Sequence, residues 1–219
     1  MLNLTEAYMQ LWFDRMGFPI LTIPQCALEM YLWPFTKFQL EQFLVETNAF
    51  TDSWYEELIL LNPRQSYTQI SPSTVVHAFA TGLLFREAEL ITKWRGEGFR
   101  LPTANEWRSL YSFLNSCTIE AVDLESVVKT VPSPPARALF GAVSQTSTLA
   151  WSKLSLMHDG LVEWVITDQG PAGLGSPSYE LYPNLWDPMT DFVVPISSTE
   201  RIKYFGFRLV RTISQNGST

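Results

Sequence analysis

The sequence predicts an α+β domain, and three observations carry that reading. Two capping boxes, Thr36-Lys37-Phe38-Gln39 and Thr103-Ala104-Asn105-Glu106, each open a run of apolar residues at helical spacing. Several short apolar runs bounded by Pro or Gly read as strands. Between them lie long polar or Gly/Pro-rich connections, and the absence of regular βα alternation argues against a doubly wound α/β fold.

Along the chain, Leu4, Tyr8, Leu11, Trp12 and Met16 stand at helical spacing behind a Thr5 cap, so residues 1–17 are expected to form an amino-terminal helical extension. Residues 18–24 (FPILTIP) and 27–33 (ALEMYLW) read as strands. The Thr36 box opens a helix with Leu40, Phe43 and Leu44 on its apolar face, and residues 62–72 follow as a polar loop. Residues 86–94 form the next helix, with Ala88, Leu90, Ile91 and Trp94 apolar and Gly96 and Gly98 stopping it.

The segment 98–107 (GFRLPTANEW) leads into the best-marked helix. Pro102 and Trp107 are placed as a hydrophobic staple around the Thr103 cap, and Trp107, Leu110, Tyr111 and Leu114 make its apolar face. Residues 130–136 (TVPSPPA) read as a Pro-rich connection. Beyond it, residues 161–167, 191–196 and 205–211 read as strands, and residues 169–188 as a Gly/Pro/Ser-rich loop. The domain therefore spans 18–212, with 213–219 a frayed tail.

Composition narrows the function classes. The chain is 46% hydrophobic, enough for a large core. Its net charge is −7 with no basic cluster, so nothing offers a nucleic acid its phosphate contacts. No apolar stretch is long enough for a membrane span, and the start of the chain lacks a basic n-region and apolar h-region, so a cytoplasmic protein is expected. Cys26 and Cys117 have no C-x-x-C spacing, and His77 and His158 are too few for a histidine metal centre. There is no Gly-x-Ser-x-Gly elbow, and Gly173–Ser176 is too short for a phosphate loop and reads as a flexible turn.

Four segments, in order, resemble the formylglycine-generating-enzyme/sulfatase-modifying-factor family, whose fold is a variant of the C-type lectin fold. They are 33–43 (WPFTKFQLEQF), 85–107 (FREAELITKWRGEGFRLPTANEW), 154–164 (LSLMHDGLVEW) and 205–210 (FGFRLV). Arg100-Leu101-Pro102-Thr103 with Glu106-Trp107 is the most specific element, followed by Glu163-Trp164 and Gly206-Phe207-Arg208. The resemblance implies a C-type-lectin-like domain of short strands, about three helices and much irregular loop. It implies a structural role for Arg100, buried where helix meets sheet, with its guanidinium on backbone carbonyls or on Glu106 or Glu163. Arg208 would be its counterpart on the last strand.

The chain departs from the family where the family does chemistry. Residues 165–205, where the copper-dependent members carry their cysteine pair, contain no Cys, and the iron-dependent members' three histidines are missing. In the calcium-binding segment Glu163 is retained, but Asp159-Gly160 replaces Gly-Asn and Val162 replaces the first Trp. Asp159 and Glu163 would then be the remaining ligands of a structural calcium, an ion that takes six or more oxygens. No other cofactor is expected.

The leading functional expectation is a non-catalytic binding or adaptor module, a pseudoenzyme, recognising a protein partner through the 165–204 loops. Such modules resemble sensors or adaptors of bacterial multicomponent systems. Within those loops Tyr182 and Trp186 are the expected partner-binding anchors, because aromatic residues dominate interface hot spots. Two alternatives are an enzyme using acids such as Asp159, Asp168, Asp187 or Asp191, and a hypervariable lectin-fold receptor. Residues 197–204 lack the Asn enrichment that the receptor would carry.

Overall fold

Alternation, rather than helical spacing, governs the amino terminus. In the computed structural model, which describes residues 2–4, 9–48, 51–63, 70–71, 74–143, 148–178, 186–195, 199 and 201–213, Met9 and Leu11 are buried while Gln10 and Trp12 face outward. That period of two belongs to a half-buried strand. Strands β1 (Leu2–Leu4) and β2 (Met9–Phe13) form a hairpin, and β2 pairs antiparallel with β3 (Pro19–Ile23). This corrects the helical extension expected over 1–17. Met9, Leu11 and Phe13 also recur with a period of two, and pairing with β3 selects the extended form. The core also runs without a break from Met9 to Val210, so no domain boundary falls at residue 17.

A short 3-10 turn leads to β4 (Leu28–Tyr31), and the last strand, β10 (Val210–Thr212), returns to pair antiparallel with β4. The resulting sheet has the order β1-β2-β3-β4-β10. Beyond β10, Arg100 and Val210 exchange both backbone hydrogen bonds at 2.9 Å, which ties the RLPT segment to the chain's final strand.

The capping boxes form as the sequence predicts. Thr36 heads α1 (Lys37–Thr47) and Thr103 heads α4 (Ala104–Ser116), each with reciprocal bonds to Gln39 or Glu106. Helix α3 (Phe85–Arg95) lies between them, and its Glu87 carboxylate caps the helix by accepting the Leu84 N–H at 2.8 Å. Trp107, Leu110 and Leu114 are fully buried on the inner face of α4.

Seven α-helices stand among the described residues, against the three or so expected. The additions are α2 (Asp52–Leu61), α5 (Ala121–Thr130), α6 (Pro134–Val143) and α7 (Trp151–Ser155). The connection expected at 130–136 is in part the start of α6. Proline's fixed φ and missing N–H are harmless in a first turn, so Pro134 and Pro135 initiate the helix.

Strands β5 (Thr118–Glu120) and β6 (Thr148–Ala150) pair as a separate ribbon. A second sheet is built on β7 (Leu161–Thr167), antiparallel to β8 (Gly170–Ser176) and parallel to β9 (Phe205–Gly206). Strand β8 occupies part of the span expected to be loop, and the run read as a flexible turn is paired backbone. Its glycines serve close approach: a Cβ on Gly173 would lie 2.6 Å from the Phe205 ring. In the expected strand at 191–196, the described residues make only a bridge, between Val193 and Gly173. No helix among the described residues is long and apolar enough to cross a membrane.

Candidate functional site

The two arginines of the family-like motifs occupy different environments. Arg208 is fully buried between the sheets, where no water can satisfy it. Its Nε and Nη2 donate to the two oxygens of Glu163, each at 2.8 Å. Nη1 donates to the carbonyls of Tyr31 and Leu32 at 2.6 and 2.7 Å, and Nη2 also reaches the Ser155 carbonyl. The rigid fork thus ties the closing segment to β4, α7 and β7 at once.

Arg100 makes a similar bidentate contact with Glu106, at 2.8 and 2.6 Å, but its side chain is 39% exposed. The expectation that Arg100 is the buried arginine is therefore corrected: Arg208 holds the interior position, and Arg100 braces the Thr103 cap from outside. Burial would raise the Glu106 carboxyl, but the hydrogen bonds of Arg100 and Thr103 outweigh it and hold the group below its ordinary value.

The other motif residues pack around these two. Leu101, Pro102 and Trp107 are buried, and the Pro102 carbonyl accepts the Ile166 N–H at 2.9 Å. Trp164 donates its indole N–H to the Leu83 carbonyl at 2.8 Å and meets the Phe205 ring at 4.3 Å. Phe207 stacks on Phe35 at 4.8 Å, and Gly206 lies close under the Ala80 carbonyl.

His158 is buried beside this network, against the Phe79 ring. Its Nε2 lies 3.1 Å from the Ser155 carbonyl, which only accepts, so that nitrogen carries the proton. Burial and the neighbouring Arg208 charge push the imidazole down to about 3, despite the Ser155 bond, which favours protonation. The ring is a neutral packing element at ordinary pH.

The two residues expected as calcium ligands, Asp159 and Glu163, stand in different environments. Both Glu163 oxygens already carry Arg208, and Asp159 is exposed. No group of three His, Cys, Asp or Glu able to hold a metal occurs among the described residues. Cys26 ends the 3-10 turn after β3, and Cys117 follows α4. Burial pushes the Cys26 thiol up, away from the reactive thiolate.

The 165–204 segment is where a framed surface emerges. The outward backbone groups of β8 are covered along its edge: Gly173 exchanges both hydrogen bonds with Val193, and the Gly175 carbonyl accepts the Trp186 indole N–H at 2.9 Å. Arg108, on α4, donates to the Pro188 carbonyl at 3.1 Å and stacks 4.2 Å above Phe192. Farther on, Arg201 grips Glu87 through two bonds of 2.6 and 2.8 Å and donates to the Gly82 carbonyl.

Trp186 is half-buried with its N–H turned inward, so it fastens the loop to β8. Tyr182 lies outside the described residues. Sequence reasoning misses Arg108 and Arg201, for which no local pattern exists: their partners lie 80 to 144 residues away in the chain. Of the acids considered for catalysis, Asp187 and Asp191 share a turn, with the Asp191 carboxylate accepting the Asp187 N–H. Asp168 stands apart at the β7–β8 turn. No protein-family model matches the chain, and no curated protein matches it.

Proposed function

We propose that this chain is a non-catalytic binding or adaptor module on a formylglycine-generating-enzyme-like variant of the C-type lectin fold, recognising a protein partner through its 165–204 loops. The observation that carries the reading is the fastening of the described part of this segment: Trp186, the Val193–Gly173 bridge, Arg108 and Arg201 tie residues 186–193 and 201 to β8, α4 and α3. Preorganised loops lose less entropy on binding, which is how rigid scaffolds make useful binding sites.

Support for the fold comes from the motif order and from the buried Arg208–Glu163 pair that joins the closing segment to β7. Support for a pseudoenzyme comes from a 165–205 stretch without cysteine and from a Cys26 thiol that burial keeps protonated. Adaptor duty in a bacterial multicomponent system, in the cytoplasm, completes the reading by analogy of scaffold.

The test is co-purification from the native host with wild type, Tyr182→Ala and Arg201→Ala. A hot-spot aromatic is worth about 2 kcal/mol or more, so Tyr182→Ala should weaken partner binding roughly thirtyfold. Arg201→Ala, which releases the frame, should weaken it as well. Folded variants that bind as wild type does would place the interface elsewhere.

A further inference from the structure

Helix α2 turns one whole side to solvent. Trp54 and Leu58 are buried on its inner side, and Arg201 braces the helix, 5.7 Å from the Trp54 ring and 3.4 Å from the Glu57 carboxylate. The opposite side carries two neighbouring rows at i, i+4 spacing: Asp52, Glu56 and Leu60 in one, Tyr55 and Ile59 in the other. All five are exposed, with Leu60 at 83%, Tyr55 at 43% and Ile59 at 42%. Helical periodicity by itself sets these residues side by side on one continuous face. Apolar residues that sit singly on a surface mean little, but three grouped on one braced helix mark a contact surface.

The charge on this face has one sign. Helix α2 carries Asp52, Glu56 and Glu57 and no Lys or Arg. Glu57 meets Arg201, but among the described residues neither Asp52 nor Glu56 forms an ion pair. Lys37 stands past the last turn of the helix, where its ammonium donates to the Pro63 carbonyl at 2.8 Å. The helix dipole favours Asp52 in the first turn. Glu56 lies four residues further on, where like charges repel each other. A cation laid across the two carboxylates relieves that repulsion.

We infer that the outer face of α2 docks a basic, aliphatic segment of another protein, with Lys or Arg over Asp52 and Glu56 and aliphatic side chains over Tyr55, Ile59 and Leu60. This surface lies outside residues 165–204 and does not depend on the loop-binding function proposed above. Charge decides among occupants. A second copy docked through the same face would set two Asp52–Glu56 rows together without a base, in a chain whose net charge is −7. Nucleic acids and anionic membranes carry the same wrong sign. A cationic partner is attracted at long range and held by desolvation of Tyr55, Ile59 and Leu60.

The probe is a short fluorescent peptide with Leu and Lys at helical spacing, titrated against the full chain at low and high salt. Its counterparts replace every Lys by Glu or every Leu by Ser. The Leu–Lys peptide alone should bind, and more weakly at high salt. Ile59→Ser with Leu60→Ser should weaken it at least about tenfold. Asp52→Asn with Glu56→Gln should weaken it and flatten the salt dependence. Val194→Ser, at a 70% exposed position outside α2, should change nothing. Should the double serine variant not fold, Glu56→Lys supplies the same readout, because it places a base four residues from Asp52 and so supports the helix while repelling the peptide.

A peptide that fails to bind, binds equally with Glu for Lys, or ignores the α2 substitutions overturns the inference. So does a wild-type dimer that Glu56→Lys dissociates, which would give the face to a second copy. If native-partner binding is lost in Tyr182→Ala while the peptide ignores α2, the loop reading stands and only the α2 surface falls.

Discussion

Arg208 gives all five of its N–H donors to buried acceptors, two on Glu163 and three on the carbonyls of Tyr31, Leu32 and Ser155. Arg208→Met removes every one and leaves the Glu163 charge in a dry interior, so it should cost about 3–5 kcal/mol. Arg100→Ala breaks a bidentate pair of similar geometry at the surface, where water takes over, and should cost under about 1 kcal/mol. Urea midpoints of the two variants check this, and a larger loss for Arg100→Ala would reverse the assignment. His158 adds a pH dependence. Its folded value, about 3, lies below the ordinary 6.5, so the unfolded chain takes up a proton first as pH falls. Stability is complete above about 6.5 and declines toward 3, by up to about 1.4 kcal/mol per pH unit. Denaturation of wild type between pH 7 and 5 should show that slope (about 1.4 kcal/mol per unit at most). His158→Gln, which can still donate to the Ser155 carbonyl, should lack it.

Two glycines separate geometric need from plain flexibility at the level of the element. In β8, Gly173 lies beneath Val162 and Phe205, with no room for a methyl group. Gly173→Ala should cost about 1–3 kcal/mol through overpacking, and the loss should appear as a lower thermal midpoint. Gly141 sits inside α6, and a methyl group added there would meet nothing within 4 Å. Gly141→Ala should stabilise by about 0.5–1 kcal/mol, because alanine loses less backbone freedom on forming helix. Equal effects of the two substitutions would contradict the packing described for β8. The same contrast explains why β8 reads as loop from sequence. Glycine and proline mark turns when judged locally, and only the side chains of β7 and β9 crossing above the strand make small residues a requirement.

For the molecule as a whole, the amino-terminal hairpin tests whether there is one folding unit. Met9 and Leu11 are part of the continuous core, and β2 covers the backbone edge of β3. Deleting residues 1–13 should therefore abolish cooperative unfolding measured by circular dichroism, whereas a dispensable extension could be removed with the thermal midpoint intact. What the sequence determined by itself was local. The boxes at Thr36 and Thr103 specify helix starts because their partners lie three residues away, and 161–167 is a short apolar, β-branched run between glycines. For Arg100 the resemblance left backbone carbonyls, Glu106 and Glu163 open as partners, and the structure selects Glu106. Only the tertiary structure decided the amino-terminal strands, whose apolar spacing suits helix and strand alike until β3 supplies the missing hydrogen bonds. It likewise decided that Arg208, not Arg100, is the buried arginine. It also placed Arg108 and Arg201 as fasteners of the 186–204 segment. Burial and long-range pairing depend on residues far apart in the chain, and no window of sequence contains both halves of such a contact.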